Sequence, residues 1–145
     1  MLYRPIFKKI EYYLYNYDYL DTKIENIEFD INNSEYNQNY TRWIKNKSSS
    51  LEDLVIYNIN TERKIARLLK WKKIIGKVLN KYLKDDILKY EYIELKYFSK
   101  NTPSVIKEKI NLTIKEQKDI QNQVLEYIFL IATKNQLLKR GWRDF

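Results

Sequence analysis

Two glycines and two prolines are all that the 145 residues contain. Hairpins and tight turns draw on glycine for positive φ and on proline for a preset φ, so a chain this poor in both cannot supply the turns of a sheet-rich fold. It reads as all-α. The punctuation that does occur sits where helices begin and end: Thr102 before Pro103 marks a start, and Gly141 marks a stop.

From Pro5 to Ile31 the residues Ile6, Ile10, Tyr13, Tyr17, Leu20, Ile24, Ile27 and Ile31 recur at alternating spacings of four and three, with charged residues on the other faces. That is a heptad seam and predicts a long N-terminal amphipathic helix. Two readings present this same pattern: a helix packed on its own domain, or a coiled-coil arm that pairs two copies of the chain through residues 6–31. Residues 32–50 are polar and rich in Asn and Ser, as a linker would be, with Trp43 and Ile44 as its local anchors. Ser49 and Ser50, followed by Glu52 and Asp53, suit a helix start near Leu51, and Asn58 and Thr61 interrupt the apolar face that follows, which allows a bend or break before Thr61. This second long helix is basic, with Arg63, Lys64, Arg67, Lys70, Lys72, Lys73, Lys77 and Lys81 around an apolar face running from Leu51 to Tyr82. Residues 51–145 are then expected to form a helical domain.

The C-terminal half divides into shorter pieces. Asp85 or Asp86 caps a helix reaching Phe98, SKNTP closes it, and a helix from Pro103 to about Ile110 follows. After a turn at Asn111, Leu112 and Thr113, the residues Ile120, Val124, Tyr127, Ile128 and Ile131 predict a last helix running to about Arg140. Two helices joined by so short a turn, over about 103–125, have the outline of a helix-turn-helix. In that motif the first helix crosses the phosphate backbone and the start of the second meets base edges in the major groove. Thr113, Lys115, Gln117, Lys118, Gln121 and Asn122 are accordingly the candidate base-contacting residues, expected to be exposed together with Glu116. Lys suits guanine, Gln and Asn suit adenine, and Thr suits a phosphate or a thymine methyl. Thr102, Ser104 and Lys107 on the first helix, with Lys72 and Lys77 on the basic helix, are the candidate phosphate contacts.

Charge agrees with an anionic partner. Lys and Arg number 27 against 19 Asp and Glu, a net +8, which favours nucleic acid and argues against a basic ligand. Lys, Ile, Asn and Tyr together make 68 of the 145 residues, a bias that A+T-rich codons alone would give. At 44% apolar and 15% aromatic the chain is too hydrophobic for a disordered basic tail. It has neither Cys nor His, so disulfides, thiol nucleophiles, zinc fingers and imidazole acid/base chemistry are excluded. No Gly-rich phosphate loop occurs, and the acid pairs Glu52-Asp53 and Asp85-Asp86 read as helix caps, so neither an enzyme nor a metal or cofactor site is expected. No apolar run reaches the roughly 18 residues that span a bilayer, and charges interrupt what would be a signal sequence. A cytoplasmic protein without membrane contact is expected.

The run YEYIELKYFSKNTPSVIKEKINLTIKEQKDIQNQVLEYI resembles the C-terminal module of phage late-gene transcriptional regulators of the ArpU and RinA type, related to region 4 of sigma factors. The resemblance extends upstream through SSSLEDLVIYNINTERKIARLLKWKKIIGKVLNKY to LYNYDYLDTKIENIEFDI, about four-fifths of the chain, and is one of pattern and order. It implies Tyr97 and Phe98 as aromatics supporting the motif, Thr102 and Pro103 as its start, and Asn111 to Thr113 as its turn. It also implies a phage or prophage activator in a bacterial host, with duplex DNA and host RNA polymerase as partners. Where that family carries several Arg or Lys residues, this chain has Lys115, Glu116, Gln117, Lys118, Asp119, Gln121 and Asn122. The competing reading is a helical interaction or oligomerisation module without DNA contact, a phage packaging component included.

Overall fold

The computed structural model describes residues 4–32, 51–135 and 137, and every regular element among them is helical. The α-helices are α1 (Arg4–Tyr15), α2 (Leu20–Asn32), α3 (Leu51–Asp85), α4 (Ile87–Ile93), α5 (Pro103–Ile110) and α6 (Ile114–Lys134). By contact the chain forms two compact units, one of residues 1–18 with 70–145 and one of residues 19–69. Asn32, the first residue of the expected linker, is the last of α2; the rest of it, with Trp43, Ile44, Ser49 and Ser50, lies outside the described residues, as do Gly141 and the tail after it.

The N-terminal segment is not one continuous helix. Asn16 turns both its backbone N–H (3.1 Å) and its side-chain Nδ2 (2.8 Å) onto the Tyr12 carbonyl, and a 3-10 turn over Tyr17–Tyr19 separates α1 from α2. A carboxamide that competes for its own helix's carbonyls is a known source of such interruptions. Of the seam, Ile6, Ile10, Tyr13, Leu20 and Ile24 are nevertheless buried within one chain, and Tyr17 and Ile27 are half-buried.

In the larger unit, α1 contributes Ile6, Ile10, Tyr13 and Leu14 to a core that also holds Trp71, Ile75 and Val78 of α3, Ile93 of α4, Ile106 of α5, and Val124, Leu125, Ile128 and Phe129 of α6. Tyr13 stacks on Trp71 with ring centroids 4.5 Å apart and planes 11° from parallel. The Trp71 ring is fully buried and its Nε1 has no hydrogen-bond partner among the described residues. Packing therefore outweighs the lost hydrogen bond, as a ring that buries about 200 Å² can manage. In the smaller unit the described apolar residues Leu20, Ile24 and Leu68 are buried, whereas Phe29 and Tyr19 are exposed.

Helix α3 runs unbroken through Asn58 and Thr61, so the break allowed before Thr61 does not occur. Asp86 caps α4 by accepting the Lys89 N–H. The next residues, Glu94–Phe98, widen into a π turn, in which Ser99 N–H reaches the Glu94 carbonyl at 2.9 Å. Lys100 then takes a left-handed conformation, φ 55°, and Asn101 N–H closes on the Leu95 carbonyl at 3.0 Å.

Helix α6 ends at Lys134, short of the expected Arg140. The end is closed by Asn135, whose Nδ2 donates to the Ile131 carbonyl at 2.8 Å. Leu137 N–H also closes it, reaching the Ala132 carbonyl at 3.0 Å. These bonds satisfy last-turn carbonyls that a continuing helix would otherwise use.

Candidate nucleic-acid interface

The turn between α5 and α6 is specified residue by residue. Thr102 has extended backbone and its hydroxyl accepts the Val105 N–H, with Pro103 at the first helical position, where no N–H is needed. Asn111 ends α5 in the left-handed region at φ 55°, a conformation that Asn tolerates better than most residues, and its N–H reaches the Lys107 carbonyl at 2.9 Å. Leu112 is buried beneath the turn. Thr113 then starts α6 with a reciprocal capping box: its Oγ1 accepts the Glu116 N–H at 3.1 Å, and the Glu116 carboxylate accepts the Thr113 N–H at 3.2 Å.

One expected base-contacting residue is turned inward. Gln117, placed by sequence on the exposed face, is 4% exposed. Its Nε2 donates to the Leu112 carbonyl and to the Pro103 carbonyl, each at 3.0 Å. One side-chain amide thus ties the start of α5 to the turn and to α6, and both of its N–H groups are consumed. It is a structural tie, not a groove contact.

Gln121 is also drawn away from solvent. It is half-buried and its Nε2 donates to Glu11 Oε2 at 3.0 Å. The same oxygen accepts the Tyr97 hydroxyl at 2.8 Å. Glu11, which the heptad pattern assigned to a solvated face, thereby joins α1 to the π turn and to α6. Tyr97 is buried, and its hydroxyl pKa is pushed far above the ordinary 10, first by burial and then by the Glu11 charge and hydrogen bond. Tyr92 and Tyr15 are raised for the same two leading reasons, burial and the Glu11 carboxylate. Tyr15 meets Tyr97 edge to face at 4.8 Å, and Phe98 stacks on Tyr17 at 5.6 Å. Tyr97 is thus a core aromatic.

What remains at the surface is a narrower set. Lys115, Lys118, Asp119 and Asn122 are exposed along the first two and a half turns of α6, and their side chains make no hydrogen bond or ion pair among the described residues. Thr113 is exposed, though its hydroxyl is engaged as the cap. On α5, Ser104 and Lys107 are exposed beside the Thr102 cap. Lys72 and Lys77 belong to a different helix, α3. Lys77 is exposed, whereas Lys72 is half-buried and already engaged within the chain. The sequence reading also missed Ile114, the first residue of α6, which is 53% exposed.

A shallow cleft of about 340 Å³ lies between α3, α4 and α6, lined by Lys81, Tyr82, Asp86, Lys89 and Tyr127 among others. Its two cations are spent on its own rings, Lys81 over Tyr127 at 4.8 Å and Lys89 over Tyr82 at 5.5 Å, and Lys89 also pairs with Asp86 at 3.3 Å. Lys89 and Asp86 thus offset one another and Lys81 lies over a ring, while Asp85 and Gln123 complete the lining. Among the described residues no group of three or more acids is placed to hold a metal ion, and no helix is long and apolar enough to cross a membrane. Comparison of the chain with protein-family models, with curated proteins and with solved structures finds no match.

Proposed function

We propose that this chain is a sequence-specific DNA-binding transcriptional regulator, of the phage or prophage late-gene type, acting with host RNA polymerase in the bacterial cytoplasm. The observation that carries the reading is the pair α5 and α6 with their doubly capped turn, which leaves Lys115, Lys118 and Asn122 exposed, with no side-chain partner among the described residues, where a second helix would meet base edges. Lys115 and Lys118 suit guanine or phosphate and Asn122 suits adenine. Ser104, through its hydroxyl and backbone N–H, and Lys107 suit phosphates, and Lys77 adds positive charge from α3.

The test is binding of the purified full chain to fragments of its own genomic neighbourhood, at low and moderate salt with competitor DNA. A fragment-selective complex whose affinity falls steeply with salt is expected, because phosphate contacts release counterions. Binding that stays weak and indifferent to sequence at low salt would overturn the reading. Replacing Lys118 should relax base preference, while replacing Lys77 should weaken all sequences alike.

A second reading, a helical interaction module, draws support from the smaller unit, where Phe29 and Tyr19 are 63% and 59% exposed and so offer a partner aromatic surface. Of the seam expected over residues 6–31, Ile6, Ile10, Tyr13, Leu20 and Ile24 are buried within one chain and Tyr17 and Ile27 are half-buried, so these exposed rings are the larger apolar surface a second copy or another partner would meet. A single monomeric species that retains no partner from its host would count against this second reading.

A further inference from the structure

The side chains that α6 buries fall on one seam: Gln117, Val124, Leu125, Ile128, Phe129 and Ala132. Stepping back by the helical interval of three from Gln117 leads to Ile114, so Ile114 continues the seam at its N-terminal end. The cover does not continue with it. Gln117 is 4% exposed and closes the core by binding the Leu112 and Pro103 carbonyls, whereas Ile114, one turn further out, is 53% exposed. A branched aliphatic side chain is therefore left largely exposed at the start of α6, directly after the turn. Its neighbours on the same surface are polar, with Lys115 and Lys118 exposed.

Resting on the DNA-binding reading, we infer that Ile114 is a specificity-determining residue that packs against the C5-methyl group of a thymine in the major groove. Three observations support that occupant. The residue stands at the first position of the helix that would enter the groove, where contacts to base edges are made. It is apolar in a stripe that otherwise offers only polar groups, and the thymine methyl is the apolar group of the major-groove edge. The surrounding charge also suits a duplex: residues 100–122 hold five lysines (100, 107, 109, 115 and 118) against three acids (108, 116 and 119), and the Glu116 carboxylate is bound to the Thr113 N–H. A methyl contact further explains how a stretch with few cations can discriminate among sequences, since the contact needs no charge.

The experiment uses the full chain and the fragment selected in the binding test above, prepared once with thymine and once with uracil, which pairs identically but lacks the methyl. Ile114→Ala is compared with the wild type on both. The wild type is expected to bind the uracil duplex about fourfold more weakly, the worth of one buried methyl group. Ile114→Ala should bind the thymine duplex more weakly by a similar factor and no longer distinguish the two. Equal wild-type affinity for both duplexes, or an Ile114→Ala variant that still discriminates as the wild type does, would overturn the inference while leaving the DNA-binding reading standing. The absence of any selective wild-type complex would overturn both. Because Ile114 lies outside the core, the variant should unfold at the wild-type temperature, and this control separates loss of contact from loss of fold.

Discussion

Replacing Gln117 with methionine isolates the tie that holds the α5–α6 turn. Methionine keeps the length and most of the volume of the side chain, so little is lost from packing, and what disappears is a pair of hydrogen bonds. The Leu112 carbonyl lies outside both helices and accepts from Gln117 in a buried setting, so losing its donor costs the desolvation of an orphaned acceptor, about 1–3 kcal/mol. The Pro103 carbonyl is only part-buried and, as the first residue of α5, sits where an i+4 N–H also reaches it, so its loss adds roughly 0.5–1 kcal/mol. The expected total is about 1.5–4 kcal/mol. For a chain of 145 residues that is a fall of roughly 5–12 °C in Tm, at ~3 °C per kcal/mol. Circular dichroism on heating, with urea unfolding as a second measure, reads the change. Gln117→Glu supplies the chemical control: an ionised carboxylate facing two carbonyl oxygens can donate to neither, so its penalty should exceed that of methionine at neutral pH. The penalty should shrink on acidification, as the protonated acid regains one donor. A Gln117→Met variant within about 0.5 kcal/mol of wild type would refute the argument, and so would a Gln117→Glu penalty that ignores pH.

Alkaline titration should find the fold failing above the ordinary phenol pKa. Tyr82, Tyr92 and Tyr97 are all raised by burial first and by neighbouring groups second, so above pH 10 the native state binds phenol protons that the unfolded chain has released. The stability linked to them is whole below pH 10 and declines as pH rises. Absorbance of tyrosinate should show these groups titrating with unfolding, and Glu11→Gln should bring Tyr97 ionisation to lower pH by removing the carboxylate charge. Lys100→Gly should stabilise the protein by roughly 0.5–1 kcal/mol in urea unfolding, because a non-glycine residue at φ 55° carries a steric cost that glycine does not; no gain would mean that the Lys100 side chain compensates for the strain.

Much of the helical order was legible because its signals are local. Thr102 with Pro103, and Asp86, each act within three residues of themselves, and both appear as caps in the structure; the Thr113–Glu116 capping box is equally local, but the sequence reading takes these residues only as turn and surface. Asn111 and Leu112 likewise form the expected turn. The functions of Gln117 and Gln121 were not legible. Gln117 meets partners 5 and 14 residues away, and Gln121 meets one 110 residues away, so only the folded chain shows that these amides face protein instead of water. Glu11 deceived for the same reason: its place opposite the heptad seam is what a solvated acid shows, and the acceptor role emerges only when Tyr97 and Gln121 are brought to it. The end of α1 is a subtler case. The three-four spacing continues through Tyr17 and Leu20 although the helix does not, because a short 3-10 turn leaves the apolar residues on a covered side while Asn16 takes the Tyr12 carbonyl.

The inward turn of both glutamines alters how the proposed recognition would have to work. With Gln117 and Gln121 committed to the Leu112 and Pro103 carbonyls and to Glu11, the polar side chains left on the outward stripe are Lys115, Lys118, Asp119 and Asn122. Two cations and one acid give that stripe little attraction for phosphate, and a carboxylate near a duplex is tolerated best where it accepts from a base amino group, such as cytosine N4. Affinity would then rest on charges elsewhere, with Lys107 on α5 and Lys77 on α3 as exposed candidates, while the stripe and Ile114 would supply discrimination. Phosphate contacts and base contacts would reside on different helices. On that division, raising the salt should weaken cognate and non-cognate complexes by similar factors and leave their ratio nearly unchanged.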